Sequence, residues 1–257
     1  MKTYLLEILT ALTMTFTVSG QVLVDEQFTR SGTGPLNSSH PSGGTLAESI
    51  TWSPGYQNKD WMITDAEAGM LAAAGGSAPG ATAWLPVTFS AGSQYELTVQ
   101  LTILGAANGN WAGIGFSNSS VITSSGWNLG TWMYIRGDKG YTPVGKPGTT
   151  STDVTITGVP TVNAGDIANT LHLTLDTTGE DWTIAYYIND NALTTTPFAT
   201  YTLTADQQTA LDTVFLISYG NGATVDWFKL EQIPEPSVLL LSGIGALILA
   251  LTPRRKR

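Results

Sequence analysis

The chain has 257 residues, no cysteine and a formal net charge of −9. Between Gln21 and Pro236 only six basic side chains stand against nineteen acidic ones, which excludes the basic face a nucleic-acid partner needs and docking of this stretch on anionic lipid. With no thiol there are no disulfides, thiolate zinc sites, iron–sulfur clusters or cysteine nucleophiles, so the fold must stand on its core alone, which about 200 residues can supply.

Residues 1–20 have the layout of a secretory signal. Lys2 gives a positive start, Tyr4 to Val18 is mostly apolar, and Val18-Ser19-Gly20 sets modest or small residues at the −3 and −1 positions of a cut before Gln21. The Gly-, Ser- and Pro-rich stretch Ser31–Gly44 reads as a long surface loop. Leu71–Gly80 reads as a strand end followed by a loop.

Beyond it the pattern is period two. In Gln94–Leu104, Tyr95, Leu97, Val99, Leu101 and Ile103 alternate with Glu96, Thr98, Gln100 and Thr102, the mark of a half-buried strand. Thr131–Arg136, Thr152–Gly158, Leu171–Asp176, Trp182–Ile188, Val214–Tyr219 and Thr224–Glu231 are further strands. Leu171–Ile188 reads as a hairpin with its loop near Thr177–Asp181. One short helix is predicted, where Thr204 and Gln207 form a capping box ahead of Gln208–Leu211. Many short strands, one helix and no βαβ rhythm predict a single all-β domain, an antiparallel β-sandwich, over residues 21–232.

The ordered pieces YELTVQLTI, NWAGIGFSNS, GTWMYIRGDKG, LHLTLDTTGEDWTIAYYIND and ATVDWFKLE resemble the concanavalin A-like (laminin G-like) jelly rolls. That resemblance covers roughly Val22 to Glu231 and implies that the first and last strands are neighbours. Val22–Phe28 is therefore expected beside Thr224–Leu230.

At the far end Pro234-Glu235-Pro236 precedes an apolar run of fourteen residues, Val238–Leu251, and then Pro253, Arg254, Arg255, Lys256 and Arg257. As a helix the run is about 21 Å long, short against a bilayer core of about 30 Å. Flanking residues and snorkelling arginines extend it to a span over about 237–252, and the basic cluster is a stop signal on the cytoplasmic side. The tripartite layout resembles the PEP-CTERM sorting signal of Gram-negative bacteria. That resemblance implies export through the Sec translocon, a transient hold in the inner membrane, and recognition by an exosortase. The exosortase would cut near Pro-Glu-Pro and release the body to the cell envelope, the cell surface or the medium, and proteins of this kind accompany exopolysaccharide production.

The search for chemistry yields few candidates. Glycoside hydrolysis on a jelly roll needs two carboxylates on one strand face, and the only such pair with strand-like flanks is Asp65 and Glu67, which read as exposed strand-end or turn residues rather than as a catalytic pair. Glu180 and Asp181 fall in the hairpin loop. His172 shares a face with Thr174 and Asp176, and His40 lies in the Ser/Gly/Pro loop; neither has a partner that spacing alone can place. No catalytic or metal-ligating residue is assigned. Calcium is the one cofactor the composition admits, through the oxygen-rich loops Ile188–Ala192 and Arg136–Gly140, although the same Asn and Asp are ordinary turn formers. The eight tryptophans offer stacking surface for sugar rings. Trp52, Tyr56, Trp61, Trp127 and Trp132 fall in or near loop-rich parts and are the candidate glycan-binding rings, whereas Trp84, Trp111, Trp182 and Trp227 are expected in the core. These observations favour a non-catalytic envelope or matrix protein that binds polysaccharide. The alternatives are a polysaccharide-active hydrolase or lyase and a ligand-free structural or adhesive protein.

Overall fold

The computed structural model describes residues 20–29, 34–55, 60–64, 69–72, 81–105, 110–119, 131–137, 141–144, 154–156, 167–189, 196–219 and 223–234. Residues 1–19 of the signal segment and 235–257 of the sorting segment lie outside these residues, as do Tyr56, Asp65, Glu67 and Trp127. Among the described residues no helix is long and apolar enough to cross a membrane.

In chain order the elements are β1 (Gln21–Glu26), β2 (Gly34–Pro35), β3 (Ser53–Pro54), β4 (Trp61–Thr64), β5 (Gly69–Ala72), β6 (Thr82–Pro86), β7 (Ser93–Ile103) and β8 (Trp111–Ser117). There follow β9 (Thr131–Arg136), β10 (Tyr141–Val144), β11 (Val154–Ile156), β12 (Asn169–Asp176), β13 (Thr183–Ile188) and β14 (Ala199–Thr202). The helix α1 (Ala205–Ala210) leads into β15 (Thr213–Tyr219), and β16 (Ala223–Pro234) closes the set.

These strands build two sheets in one unit spanning Gln21–Glu235. One has ten strands, in the order β11-β14-β13-β12-β7-β16-β5-β4-β2 with β1 also on β16. The other has six, in the order β10-β9-β8-β15-β6-β3. Every ladder between the named strands is antiparallel. The sheets face each other across one core, to which the larger contributes Leu97, Val99 and Leu173 and the smaller Leu85, Ile114 and Leu216. The period-two pattern dictates this: Tyr95, Leu97, Val99, Leu101 and Ile103 are all buried, while Glu96 and Gln100 on the other face of β7 keep partial access to water.

Several sequence expectations are met. β1 pairs with β16, with Asp25 opposite Lys229 and Glu26 opposite Phe228. The hairpin β12–β13 sets Leu171 opposite Ile188 and Asp176 opposite Thr183. Helix α1 carries the capping box, with the Gln207 amide N–H donating to Thr204 Oγ1 at 3.4 Å and the Thr204 N–H donating to Gln207 Oε1 at 2.8 Å.

The stretch anticipated as a surface loop is partly internal. Within it Leu36 and Pro41 are buried, and Asp25 N donates to Gly43 O at 2.8 Å. The tie is Glu26, fully buried at the end of β1. Its carboxylate accepts from Phe28 N at 2.9 Å and from Trp52 Nε1 at 3.2 Å, and it also takes the Ser42 hydroxyl. A buried carboxylate is tolerable because each of these donors answers it. Gly44 closes the turn at a φ of +98°, where an added Cβ would stand 2.7 Å from the Leu23 carbonyl carbon; only glycine fits.

β16 carries one irregularity. Its register on β7 slips between Val225 and Trp227, leaving Asp226 as the extra residue of a bulge. The slip turns both Val225 and Phe228 inward, although they are three residues apart.

Candidate functional site: the aromatic face of the six-stranded sheet

The six-stranded sheet has one face on the core and one turned away from it. Register places three rows on the outer face. Trp84, Phe215, Gly115 and Trp132 lie side by side across β6, β15, β8 and β9. Thr82, Ile217, Gly113 and Tyr134 form the next row, and Tyr219, Trp111 and Arg136 the third. Alternation in β9 and β15 thus sends Met133, Val214 and Leu216 to the core and the rings the other way.

The two glycines of β8 make this packing feasible. A Cβ on Gly115 would lie 2.7 Å from Cε1 and Cζ of Phe215, so the phenyl ring sits over the bare backbone. A Cβ on Gly113 would collide with Met133 O and stand 2.7 Å from Tyr134 Cα. Over this stripe the rings gather. Trp132 and Tyr134 stack at 4.9 Å with an angle of 29°. Trp111 lies 4.9 Å from Tyr134 and 5.6 Å from Trp132 in tilted contacts, and 5.6 Å from Tyr219 within 10° of parallel. Such contacts fix ring orientation.

The cluster has two layers. Trp111, Trp132, Phe215 and Ile217 are its buried base, with Trp132 only 3% exposed. Trp84, Tyr134 and Tyr219 are half-buried against that base. Trp84 is held by its indole N–H, which donates to Pro54 O at 2.9 Å. Three polar atoms of this face, Trp132 Nε1, Thr82 Oγ1 and Thr213 Oγ1, are buried with no hydrogen-bond partner among the described residues. Orphaned groups are uncommon in native interiors and call for an explanation.

This arrangement corrects the choice of rings. Trp52 and Trp61 are in the sandwich core, at 1% and 0% exposure, and offer no face to a ligand. Trp52 packs edge-on against Phe228 at 5.2 Å. Trp132 is on the aromatic face but in its base. Trp84, expected in the core, is half-buried on the outer face, and Tyr134 and Tyr219 were not singled out from sequence at all. Trp111 is buried as expected, in this outer cluster, while Trp182 and Trp227 are half-buried. The first motif residue, Pro234, ends β16 opposite Ser93. Glu235, Pro236, Arg254, Arg255, Lys256 and Arg257 lie outside the described residues.

The outer face of the larger sheet is polar. His172 Nδ1 lies 3.2 Å from Glu96 Oε1 and 3.4 Å from Thr98 Oγ1, and Lys229 Nζ lies 2.9 Å from Glu231 Oε1. Burial raises the Tyr187 phenol above its ordinary value, opposed by a bond with Thr174 and reinforced by the charge of Glu96. Glu96 and Glu231 are cross-strand neighbours, the first against the His172 ring and the second paired with Lys229. In the loop considered for calcium, Asn189 takes a φ of 59° and its amide serves the turn, accepting from Thr170 N at 2.9 Å and donating to Asn169 Oδ1 at 3.1 Å. Among the described residues no three His, Asp or Glu side chains converge as a metal site.

Two facing antiparallel sheets, first strand beside last, define a β-sandwich of the kind found in jelly-roll glucanases. The chain is similar to an endo-1,3-β-glucanase from Streptomyces sioyaensis, at 12% identity and a TM-score of 0.52 over 84% of this chain and 97% of that one. It also aligns with the carbohydrate-recognition domain of Emp47p, at 12% identity and a TM-score of 0.49 over 83% and 95% of the two chains. A pseudo-β-1,3-glucanase and immunostimulatory antigen of Mycobacterium tuberculosis aligns at 12% identity and a TM-score of 0.46 over 82% and 98%. At these identities the likeness to the Streptomyces protein establishes a shared fold and nothing finer. No family model matches the chain, and no curated protein does.

Proposed function

We propose that this is an exported, non-catalytic β-sandwich that binds polysaccharide through the aromatic face of its six-stranded sheet. The observation that carries the reading is the two-layered ring cluster. Trp84, Tyr134 and Tyr219 keep accessible surface on a rigid buried base, which is how a protein presents flat apolar area at low entropic cost.

Hydrolysis takes two carboxylates flanking the scissile bond. On the described strands β6, β8, β9 and β15 the outer positions hold rings, glycines, hydroxyls, Ile217, Pro86 and Arg136. That occupancy supports binding without cleavage. The glucanase that shares the fold acts, by its name, on a 1,3-β-glucan, which makes that polymer the first to test. Saturable quenching of tryptophan fluorescence by soluble 1,3-β-glucan, shifted to about tenfold higher concentration in Tyr134→Ala, is the expected result.

The route is part of the proposal. Residues 1–20 direct export, the Pro234-Glu235-Pro236 motif with its apolar run and basic end is read by an exosortase, and the sandwich is released to the envelope or beyond. In support, β16 runs to Pro234, so a cut just past that residue would leave every described strand intact. Mass spectrometry of the protein from its own cell is expected to show a form beginning at Gln21 and lacking Val238–Leu251. A mature form still ending at Arg257 would make the tail an ordinary anchor.

A further inference from the structure

A second surface feature meets the aromatic face at Trp84. An opening of about 510 Å³ is lined by Trp84, Leu46, Ile50, Thr88, Ser119 and Asp212, among others. A second, of about 370 Å³, is lined by Thr88, Asp212, Trp182, Gln208 and Thr209. The two share Val87, Thr88 and Asp212, so they are adjacent and are treated together as one furrow, with Trp84 lining one part and Trp182 the other. Both indoles are half-buried. Trp84 is pinned through its N–H to Pro54 O, and Trp182 packs on the core.

The middle of the furrow is polar and held in place. Asp212 takes the Ser119 N–H at 2.6 Å and the Ser119 hydroxyl at 2.8 Å, one on each carboxylate oxygen. Its main chain is fixed as well, since Val87 N donates to Asp212 O at 2.8 Å and Asp212 N donates to Ser117 O at 3.1 Å. A carboxylate with about four acceptor sites and two protein donors still has capacity for ligand hydroxyls. Thr88 and Thr209 are exposed beside it. Among the described lining residues the single formal charge is that of Asp212. A glycan rich in carboxylate or sulfate would be repelled, whereas a neutral, hydroxyl-rich chain would find rings to stack on and acceptors to bond.

We infer that this furrow is an extension of the glycan site: a neutral polysaccharide chain lying on the aromatic face continues over Trp84 and along the furrow past Asp212 to Trp182. The inference rests on the glycan-binding reading, and it adds that the ligand is uncharged and long enough to turn the sheet's edge. From Trp84 to Phe89 alone, extended backbone covers about 17 Å at roughly 3.3 Å per residue, so a disaccharide on the aromatic face does not reach Trp182.

Calorimetry on the full chain tests this with neutral disaccharides and hexasaccharides of 1,3-β-glucose, 1,4-β-glucose and 1,4-β-mannose, and with hexagalacturonate as an anionic match in length. The wild type is expected to bind one of the neutral hexasaccharides at least about tenfold more tightly than its disaccharide, a gain of about 1.4 kcal/mol, and to bind hexagalacturonate more weakly. Trp182→Ala is expected to abolish that length preference with the disaccharide affinity unchanged. Thr88→Glu, at an exposed position that leaves the fold intact, should do the same by adding charge and bulk. If hexasaccharide preference survives both variants, or the disaccharide binds as tightly as the hexasaccharide, the furrow is not part of the site while glycan binding stands. If no sugar binds the wild type, both the furrow and the glycan-binding reading are overturned.

Discussion

Trp132 and Tyr134 stack at 4.9 Å although they stand two residues apart on one strand, where the backbone repeat alone would separate them by about 7 Å. The rings lean together beside Gly113 and Gly115 on the neighbouring strand, which carry no side chain of their own to hold them apart. Tyr134 is the outer member of the pair. Tyr134→Ala is expected to weaken glycan binding by about tenfold while costing about 1 kcal/mol of stability. Tyr134→Phe keeps the ring and is expected to keep the affinity. Fluorescence titration alongside thermal melting reads both.

The glycine stripe has its own consequence. Gly115→Ala sets a methyl group 2.7 Å from the Phe215 ring, and the ring is fully buried. Overpacking of this kind costs roughly 1–3 kcal/mol. Chemical denaturation should show that loss, and the displaced phenyl should lower glycan affinity as well.

Glu26 ties β1 to the segment ending at Trp52. Glu26→Ala leaves the Trp52 indole N–H and the Phe28 amide without their acceptor inside the fold. The expected loss is roughly 3 kcal/mol, measured by urea unfolding. Glu26→Gln retains an acceptor and is expected to lose less.

These ties also show where the sequence was legible. Residues 94–104, the 171–188 hairpin and the capping box at Thr204 could be read because polar and apolar side chains alternate there, or because a cap has its own chemistry. The pairing of Val22–Phe28 with Thr224–Leu230 followed from a resemblance. The ring assignment failed for a physical reason. A strand such as β8, WAGIGFS, is buried on both faces, so alternation cannot say which side meets the core and which carries a cluster of its own. Trp52 and Trp61 border turn-rich segments, yet Trp52 is drawn into the core by its bond to Glu26 and its packing on Phe228, and Trp61 enters it as the first residue of β4. The bulge at Asp226 leaves no periodic mark, because it is itself a break in the period.

Asp226 gives a pH test. Burial holds its carboxyl above the ordinary value of 3.8, so the folded state disfavours its charged form. Below 3.8 the group is neutral in both states and imposes nothing; as pH rises through the folded value the penalty sets in and stability falls. Asp226→Asn is therefore expected to melt at a higher temperature than wild type at pH 7, with the gap closing below pH 3.8. Asp176 has the opposite sign. Burial pushes it up, but bonds from the Thr178 hydroxyl, the Thr178 amide and Gln94 outweigh that and hold it below its ordinary value. Its contribution is present above 3.8 and is lost as pH falls through the folded value, so Asp176→Asn is expected to lower the melting temperature at pH 7.

The most direct measurement incubates the protein with soluble 1,3-β-glucan and follows two signals in the same tube: bound polymer, and newly formed reducing ends. Saturable binding that Tyr134→Ala weakens, with no increase in reducing ends over buffer, is the predicted result. Release of reducing ends by wild-type protein would contradict the non-catalytic reading. Absence of binding to this polymer and to every other neutral glycan tried would contradict the account of the aromatic face.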